Sequence, residues 1–198
     1  SPLILKDFEK MRSWIYNDFK LVIKNKKAIK QLQLFIKLYM NSPLFESDLF
    51  YYPMSEYEIS FESIHWREII TKLFIIFESL YLSKEEGELK FRLAIFVSSF
   101  LEQDYNEKRR IYDFMRKAYD VRSSIVHGQN ELSIHKKVLK CKPLHNYKLN
   151  SIQNFIWNLR NLLRRTFIKF LYLSNKKKSI HDIKEIIEGK PIILAHNG

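Results

Sequence analysis

Apolar residues recur at helical spacing along nearly the whole chain. Leu21, Ile29, Leu32, Phe35, Ile36 and Tyr39 follow the i, i+3, i+4, i+7 rule and predict a Lys-rich helix ending near Asn41-Ser42-Pro43. An earlier helical stretch, Asp7 to Phe19, precedes it or merges with it. Residues 42–60 carry two prolines and no clear period, and are expected to be a long irregular segment laying aromatic side chains over the core. Ser63 to Leu82 predicts a second strong helix with Ile69, Leu73, Phe77 and Leu80 inward. Lys84-Glu85-Glu86-Gly87 reads as a turn into a third helix, Glu88 to Glu102. The fourth begins near Asn106, whose side chain can cap free N–H groups, and runs to His127, where Gly128 stops it. Residues 129–150 are expected to be a basic loop. Asn150 or Ser151 caps a fifth helix to about Leu173, and Lys176-Lys177-Lys178 is a solvated linker. Ser179-x-x-Asp182 resembles a capping box for a short last helix to Glu188. The pattern predicts one all-α domain over residues 1–198, an antiparallel helical bundle of about five or six helices.

Composition narrows this further. With Gly 4 and Pro 5 in 198 residues, sandwiches, barrels and Gly-rich nucleotide loops are disfavoured. The single cysteine, Cys141, excludes a disulfide within the chain and a Cys-rich zinc site. His135 and His145 flank Cys141 in one stretch, but without tight ligand spacing, so no metal or cofactor is expected. No apolar run exceeds the five residues of Leu73–Phe77, far short of the ~20 residues a bilayer needs, and the charged opening stretch is unlike a signal peptide. No membrane association and a reducing, cytoplasmic setting are therefore expected. Charge is uneven. Of a net +12, residues 1–99 hold 14 Lys/Arg against 13 Asp/Glu, whereas residues 100–198 hold 20 against 9. A basic half of this kind attracts polyanions.

The fourth helix breaks its own pattern. Turned at 100° per residue from Ile111, Phe114, Met115, Ala118, Ile125 and Val126 fall within about 60° and form an expected core stripe. Arg122 falls about 20° from Ile111, in the middle of that stripe. A guanidinium cannot shed its charge, so either a carboxylate such as Glu78 meets it inside, or the helix end leaves the core and offers the fork to a phosphate. His127 stands at the last turn, where the helix C-terminus favours a cation. On a straight helix the two residues lie about 140° apart, so a fraying end or a second copy of the helix must bring them to one anion.

Tyr119-Asp120-Val121-Arg122-Ser123-Ser124-Ile125-Val126-His127-Gly128 resembles the signature of the HEPN superfamily, specifically its Apea-like branch, in the Arg-x4-His spacing and the following Gly. Phe77-Glu78-Ser79-Leu80 resembles the acidic position on the second core helix of that branch, and residues 158–165, Asn-Leu-Arg-Asn-Leu-Leu-Arg-Arg, resemble its basic last core helix. The resemblance spans roughly residues 64–174, leaving residues 1–63 as an N-terminal extension and residues 175–198 as a short helix and tail. Where catalytic members often carry Asn, Asp or His after the Arg, this chain has Ser123. The resemblance implies a four-helix up-and-down core, a homodimer through the motif helices, and a metal-independent ribonuclease site in the shared cleft. It also implies a toxin, abortive-infection or other antiviral role, with an antitoxin or a fused effector domain as further partners.

The residue types suit that chemistry. RNA carries its own nucleophile, so His127 would move protons and Arg122 would neutralise the nonbridging oxygens, leaving a 2′,3′-cyclic phosphate. Asp120, Ser123 or Glu78 would orient them. Arg109, Arg110, Arg116 and Lys117 on the motif helix, with Arg160, Arg164, Arg165 and Lys169 on the next, are candidates for an electrostatic track along the RNA backbone. Tyr51, Tyr52 and Tyr57 are candidates for base stacking. Two other readings stand beside the nuclease: a catalytically inactive HEPN module for dimerisation or RNA/nucleotide binding, and an unrelated helical interaction domain with a buried Arg. Arg122 fully buried against Glu78, with His127 turned away from any cleft, would leave only the last.

Overall fold

Side-chain caps mark the start of four of the helices. A computed structural model describes residues 26–82, 87–144, 151–176 and 179–189, and the chain divides into two compact units, residues 1–42 and 43–198. In the first unit, α1 (Lys26–Met40) is closed by Asn41, whose Nδ2 donates to the Lys37 carbonyl at 2.9 Å. The helix predicted over Asp7 to Phe19, and Leu21, lie outside the described residues. The second unit holds a 3-10 turn (Pro43–Glu46) and seven helices: α2 (Asp48–Ile59), α3 (Trp66–Tyr81), α4 (Leu89–Leu101), α5 (Tyr105–Val126), α6 (Glu131–Lys140), α7 (Ile152–Ser174) and α8 (Ile180–Gly189). Among the described residues there is no strand. The protein is an all-α helical bundle, as the periodicity predicts.

Ser151 caps α7, its Oγ accepting the Asn154 N–H at 3.2 Å. Ser179 and Asp182 form the expected reciprocal box at α8, with bonds of 2.7 and 3.1 Å. The cap of α5 is Asp104, whose Oδ1 accepts the Glu107 N–H at 3.0 Å, and Asn106 lies inside the helix. Asp104 does the same job two residues earlier and adds a negative charge to the positive end of the helix dipole.

Two segments expected to be irregular are helical. In α2, Phe50, Pro53 and Tyr57 turn inward at i, i+3, i+7, while Tyr51 and Tyr52 point to solvent. Aromatic residues on both faces blur the period. Pro53 removes a backbone donor inside the helix, a cost of roughly 3 kcal/mol. Burial of Phe50 and Tyr57, both at 0% exposure, offsets it. In α6, Ile134 and Val138 are the buried residues, and Asn130 caps it through the Ser133 N–H at 2.9 Å. Two inward residues four apart are too short a signal to read from sequence. Tyr57, a candidate stacking residue, is instead core: its hydroxyl donates to the Arg160 carbonyl at 3.2 Å.

The core helix α3 packs against α2, α5 and α7. It buries Ile69, Leu73, Phe77 and Leu80 as predicted. Its neighbour α5 runs antiparallel to it: Arg67 reaches Gln129 just beyond the far end of α5, and Glu78 reaches Arg122. Helices α4 and α5 are joined by only Glu102–Asp104, which likewise returns the chain alongside itself. Cys141 is buried, and burial pushes its thiol pKa up to about 12. Among the described residues no helix is long and apolar enough to cross a membrane.

One buried polar pair pins α3 to α7. The Thr166 hydroxyl donates to the Leu162 carbonyl at 2.9 Å, so the Tyr81 O–H must be the donor in its 2.7 Å bond to Thr166 Oγ1. Thr166→Val strands that phenol proton and should cost about 1–3 kcal/mol in urea unfolding. The double variant Thr166→Val with Tyr81→Phe, which removes both partners, should recover part of the loss. Equal stability of the single and double variants would contradict this account.

Candidate functional site

The last turns of α5 carry the Arg-x4-His residues, and α6 decides which way they face. The buried face of α5 follows Ile111, Phe114, Met115, Ala118 and Val121, then moves to Ser124. Ile125 is half-buried and Val126 is exposed, so the expected core stripe ends before them. The cause is α6, which packs across this end of α5. Lys137 of α6 donates to Ser124 Oγ, which itself donates to the Asp120 carbonyl at 2.8 Å.

Arg122 consequently stands at the edge of the core. Its side chain is 24% exposed, and Nη2 lies 3.5 Å from Oε1 of Glu78, whose side chain is 25% exposed. The contact is an ion pair but a loose one: Glu78 Oε1 and Arg122 Nε are buried and neither makes a hydrogen bond. The guanidinium also lies 5.6 Å from the Tyr119 ring centroid, an i, i+3 cation–π contact. Tyr119 in turn meets the Phe74 ring edge-on at 5.7 Å. Burial holds the Glu78 carboxyl above the usual glutamate range against the opposing pull of Arg122. Burial and the nearby Glu78 likewise raise the Tyr119 phenol.

His127 is exposed and caps α5. Its N–H donates to the Ser123 carbonyl at 3.0 Å, Gly128 N–H to Ile125 at 3.0 Å and Gln129 N–H to Ser124 at 2.9 Å. The last two bonds are the Schellman pairing, and Gly128 supplies its left-handed residue at φ +67°. The end of the motif helix is therefore tied off rather than frayed. Arg67 at the start of α3 extends the tie: its Nη1 donates to the Gln129 carbonyl at 3.2 Å. Nothing local in the sequence signals Arg67, because its partner is 62 residues away.

The supporting residues separate. Asp120 is bound by Lys90 of α4 at 2.7 and 2.8 Å, on a face of α5 about 160° from Arg122. Ser123 is half-buried and contributes its carbonyl to the His127 turn. Glu78 alone of the three carries a side chain that meets Arg122.

Most of the expected basic track is engaged within the chain. Arg109 sits 3.7 Å from Asp113, and Arg110 pairs with Glu107 while donating to the Leu144 carbonyl at 2.9 Å. Arg116 stacks against Phe91 at 4.8 Å and Tyr112 at 5.6 Å. Arg165 pairs with Glu102, and Lys169 donates to the Phe100 carbonyl. Arg160 lies 3.9 Å from the Phe61 ring centroid. Arg164 and Lys117 are half-buried. Among the described residues, His181, Asp182 and Glu185 of α8 are close enough to share a cation, but Asp182 is committed to the cap and the other two are exposed. His145 lies outside the described residues.

Comparison with protein-family models, with curated proteins and with solved structures finds no match for the chain. Its chemistry rests on its own geometry.

The raised Glu78 pKa carries a pH signature. A carboxyl whose folded pKa lies above its unfolded value of about 4.3 contributes stability that is full below that value and lost as pH rises through the folded one. Denaturation midpoints from pH 3.5 to 7 should thus fall for wild type relative to Glu78→Gln as pH rises. A wild-type advantage that grows with pH would mean that Arg122 outweighs burial.

Proposed function

We propose that the chain is a metal-independent endoribonuclease of HEPN type, cutting single-stranded RNA by attack of the ribose 2′-OH. The observation that carries this reading is Arg122: a permanent cation held at the edge of the core by a single carboxylate 3.5 Å away, five residues from an exposed His127. Glu78 and the Tyr119 ring orient the guanidinium without saturating its five donors. A phosphate arriving there meets a fork whose desolvation has already been met by folding. His127 is exposed, and its imidazole is the side chain suited to proton transfer.

In the reaction one His127 takes the 2′-OH proton as the oxygen bonds to phosphorus. Arg122 neutralises the nonbridging oxygens of the phosphorane. The P–O5′ bond then breaks, and a second imidazole, in its protonated form, delivers a proton to the leaving oxygen. The products are a 2′,3′-cyclic phosphate and a 5′-hydroxyl. Two copies of the chain, meeting through their motif helices, supply the two imidazoles. Such an enzyme acts in the cytoplasm as a toxin or antiviral effector. The anchoring of Asp120 by Lys90 favours a second reading, an inactive HEPN module that binds RNA without cutting it.

Cleavage of a labelled single-stranded RNA in EDTA tests the reading. The wild-type protein should cut, His127→Ala should lose about 10²–10⁴ in rate and Arg122→Ala about 10²–10³, both with unchanged helical content. RNA binding without cleavage, unaltered by His127→Ala, selects the inactive module. Affinity should also fall steeply with salt, each phosphate contact adding about 0.7 to the slope of log affinity against log salt. A flat salt dependence would remove the basic half from the account.

A further inference from the structure

We propose that Trp66 and Arg67, in the first turn of α3, form a second RNA subsite that seats the nucleotide beside the one gripped by Arg122 and His127. The proposal rests on the ribonuclease reading and deepens it. The hydrogen bond from Arg67 to the Gln129 carbonyl, 3.2 Å, joins this turn to the loop that closes the motif helix. Gln129 is two residues from His127, so the chain holds their Cα atoms within about 7 Å.

Arg67 differs from the carboxylate-paired arginines of α5 and α7. Arg109, Arg110 and Arg165 each face a carboxylate, and even Arg122 has Glu78. Among the described residues no carboxylate pairs with Arg67; the nearest along the helix, Glu68, is taken by Lys72 at 2.9 Å. One of its N–H groups serves Gln129, and among the described residues the others have no acceptor. Its charge is thus uncompensated at the end of the bundle where His127 is exposed.

The aromatic partner completes the site. The Arg67 guanidinium lies 4.9 Å from the Trp66 ring centroid. A guanidinium held against indole presents its outer face to a nucleobase and its edge to a phosphodiester, the pairing that single-stranded RNA readers use. The approach to this turn is open: Ile64, two residues before Trp66, is 92% exposed. A fork with no carboxylate partner among the described residues, a planar ring and an exposed approach match a single-stranded polyanion carrying planar bases.

The test uses the full chain in the His127→Ala background, with a fluorescein-labelled 12-nucleotide single-stranded RNA read by anisotropy. Arg67→Gln, which keeps an amide donor for Gln129 but loses the charge, should weaken binding about 10-fold at low salt and reduce the salt slope by about 0.7. Arg67→Lys should restore the slope. Trp66→Ala should weaken binding about 10-fold, and Trp66→Phe, which packs conservatively, should retain most of it. These shifts at an unchanged thermal midpoint would distinguish an RNA contact from a merely structural tie. If the background protein binds RNA and neither Arg67→Gln nor Trp66→Ala alters affinity or slope, the subsite is refuted and the nuclease reading stands. If the parent chain neither binds nor cuts RNA, both fall together.

Discussion

Arg122 is the last link of a continuous path of ring contacts that begins on α2. Tyr57 and Phe50 pack on Phe167, Phe50 on Phe170, Phe170 on Phe100 and Phe100 on Tyr81, at centroid distances of 5.3–6.0 Å. The path continues along α3 through Phe77 and Phe74 and crosses to α5 at Tyr119, which lies under the Arg122 guanidinium. Each ring buries a large apolar area and has only two side-chain torsions to fix. The same packing that stabilises the bundle therefore sets the position of Arg122. A cavity opened at Phe74 would reach Tyr119 directly and Arg122 through it.

Electrostatics then sort the basic half. Six of the Lys and Arg beyond residue 100 are engaged by internal partners: carboxylates at Glu102, Glu107 and Asp113, carbonyls at Leu144 and Phe100, and rings at Phe91, Tyr112 and Phe61. Arg116 shows why burial and charge coexist here, since two aromatic faces meet a guanidinium whose Nε has no hydrogen-bond partner. Net charge still draws a polyanion to the surface. Which side chains hold it depends on which forks are left open, and that is a property of tertiary pairing rather than of composition.

The same distinction explains what could be read from the sequence. Long amphipathic helices with strong caps were legible: α3 through Ile69, Leu73, Phe77 and Leu80, α7 through Ser151, and the end of α5 through Gly128. The pairing of Arg122 with Glu78 was foreseeable because a charge at the centre of an apolar stripe demands a partner. Helix α6 was not, because Ile134 and Val138 become a signal only once α5 is there to cover them. Helix α2 was hidden by Tyr51, Tyr52 and Pro53, each of which argues locally against a helix that burial of Phe50 and Tyr57 enforces. At the site, Ser124 rather than Ile125 faces inward under α6, and Lys90 separately draws Asp120 toward α4.

The closed end of α5 constrains how Arg122 and His127 can cooperate. They are about 140° apart on the helix, and five residues at 1.5 Å each separate them by roughly 7.5 Å along its axis. Fraying could have brought them together, but the Schellman bonds at Gly128 and Gln129 and the Arg67 tie fix the backbone that carries His127. Arg122 is meanwhile turned toward α3 by Glu78 and Tyr119. Under the nuclease reading, one chain then presents its guanidinium and its imidazole in different directions. The simplest way to place a guanidinium and the two imidazoles of the proposed reaction on a single phosphodiester is for a second copy to approach across the α3–α5 edge, adding its own His127 and Arg122 to the site. Under that reading the composite site is the reason the proposed catalysis calls for a dimer.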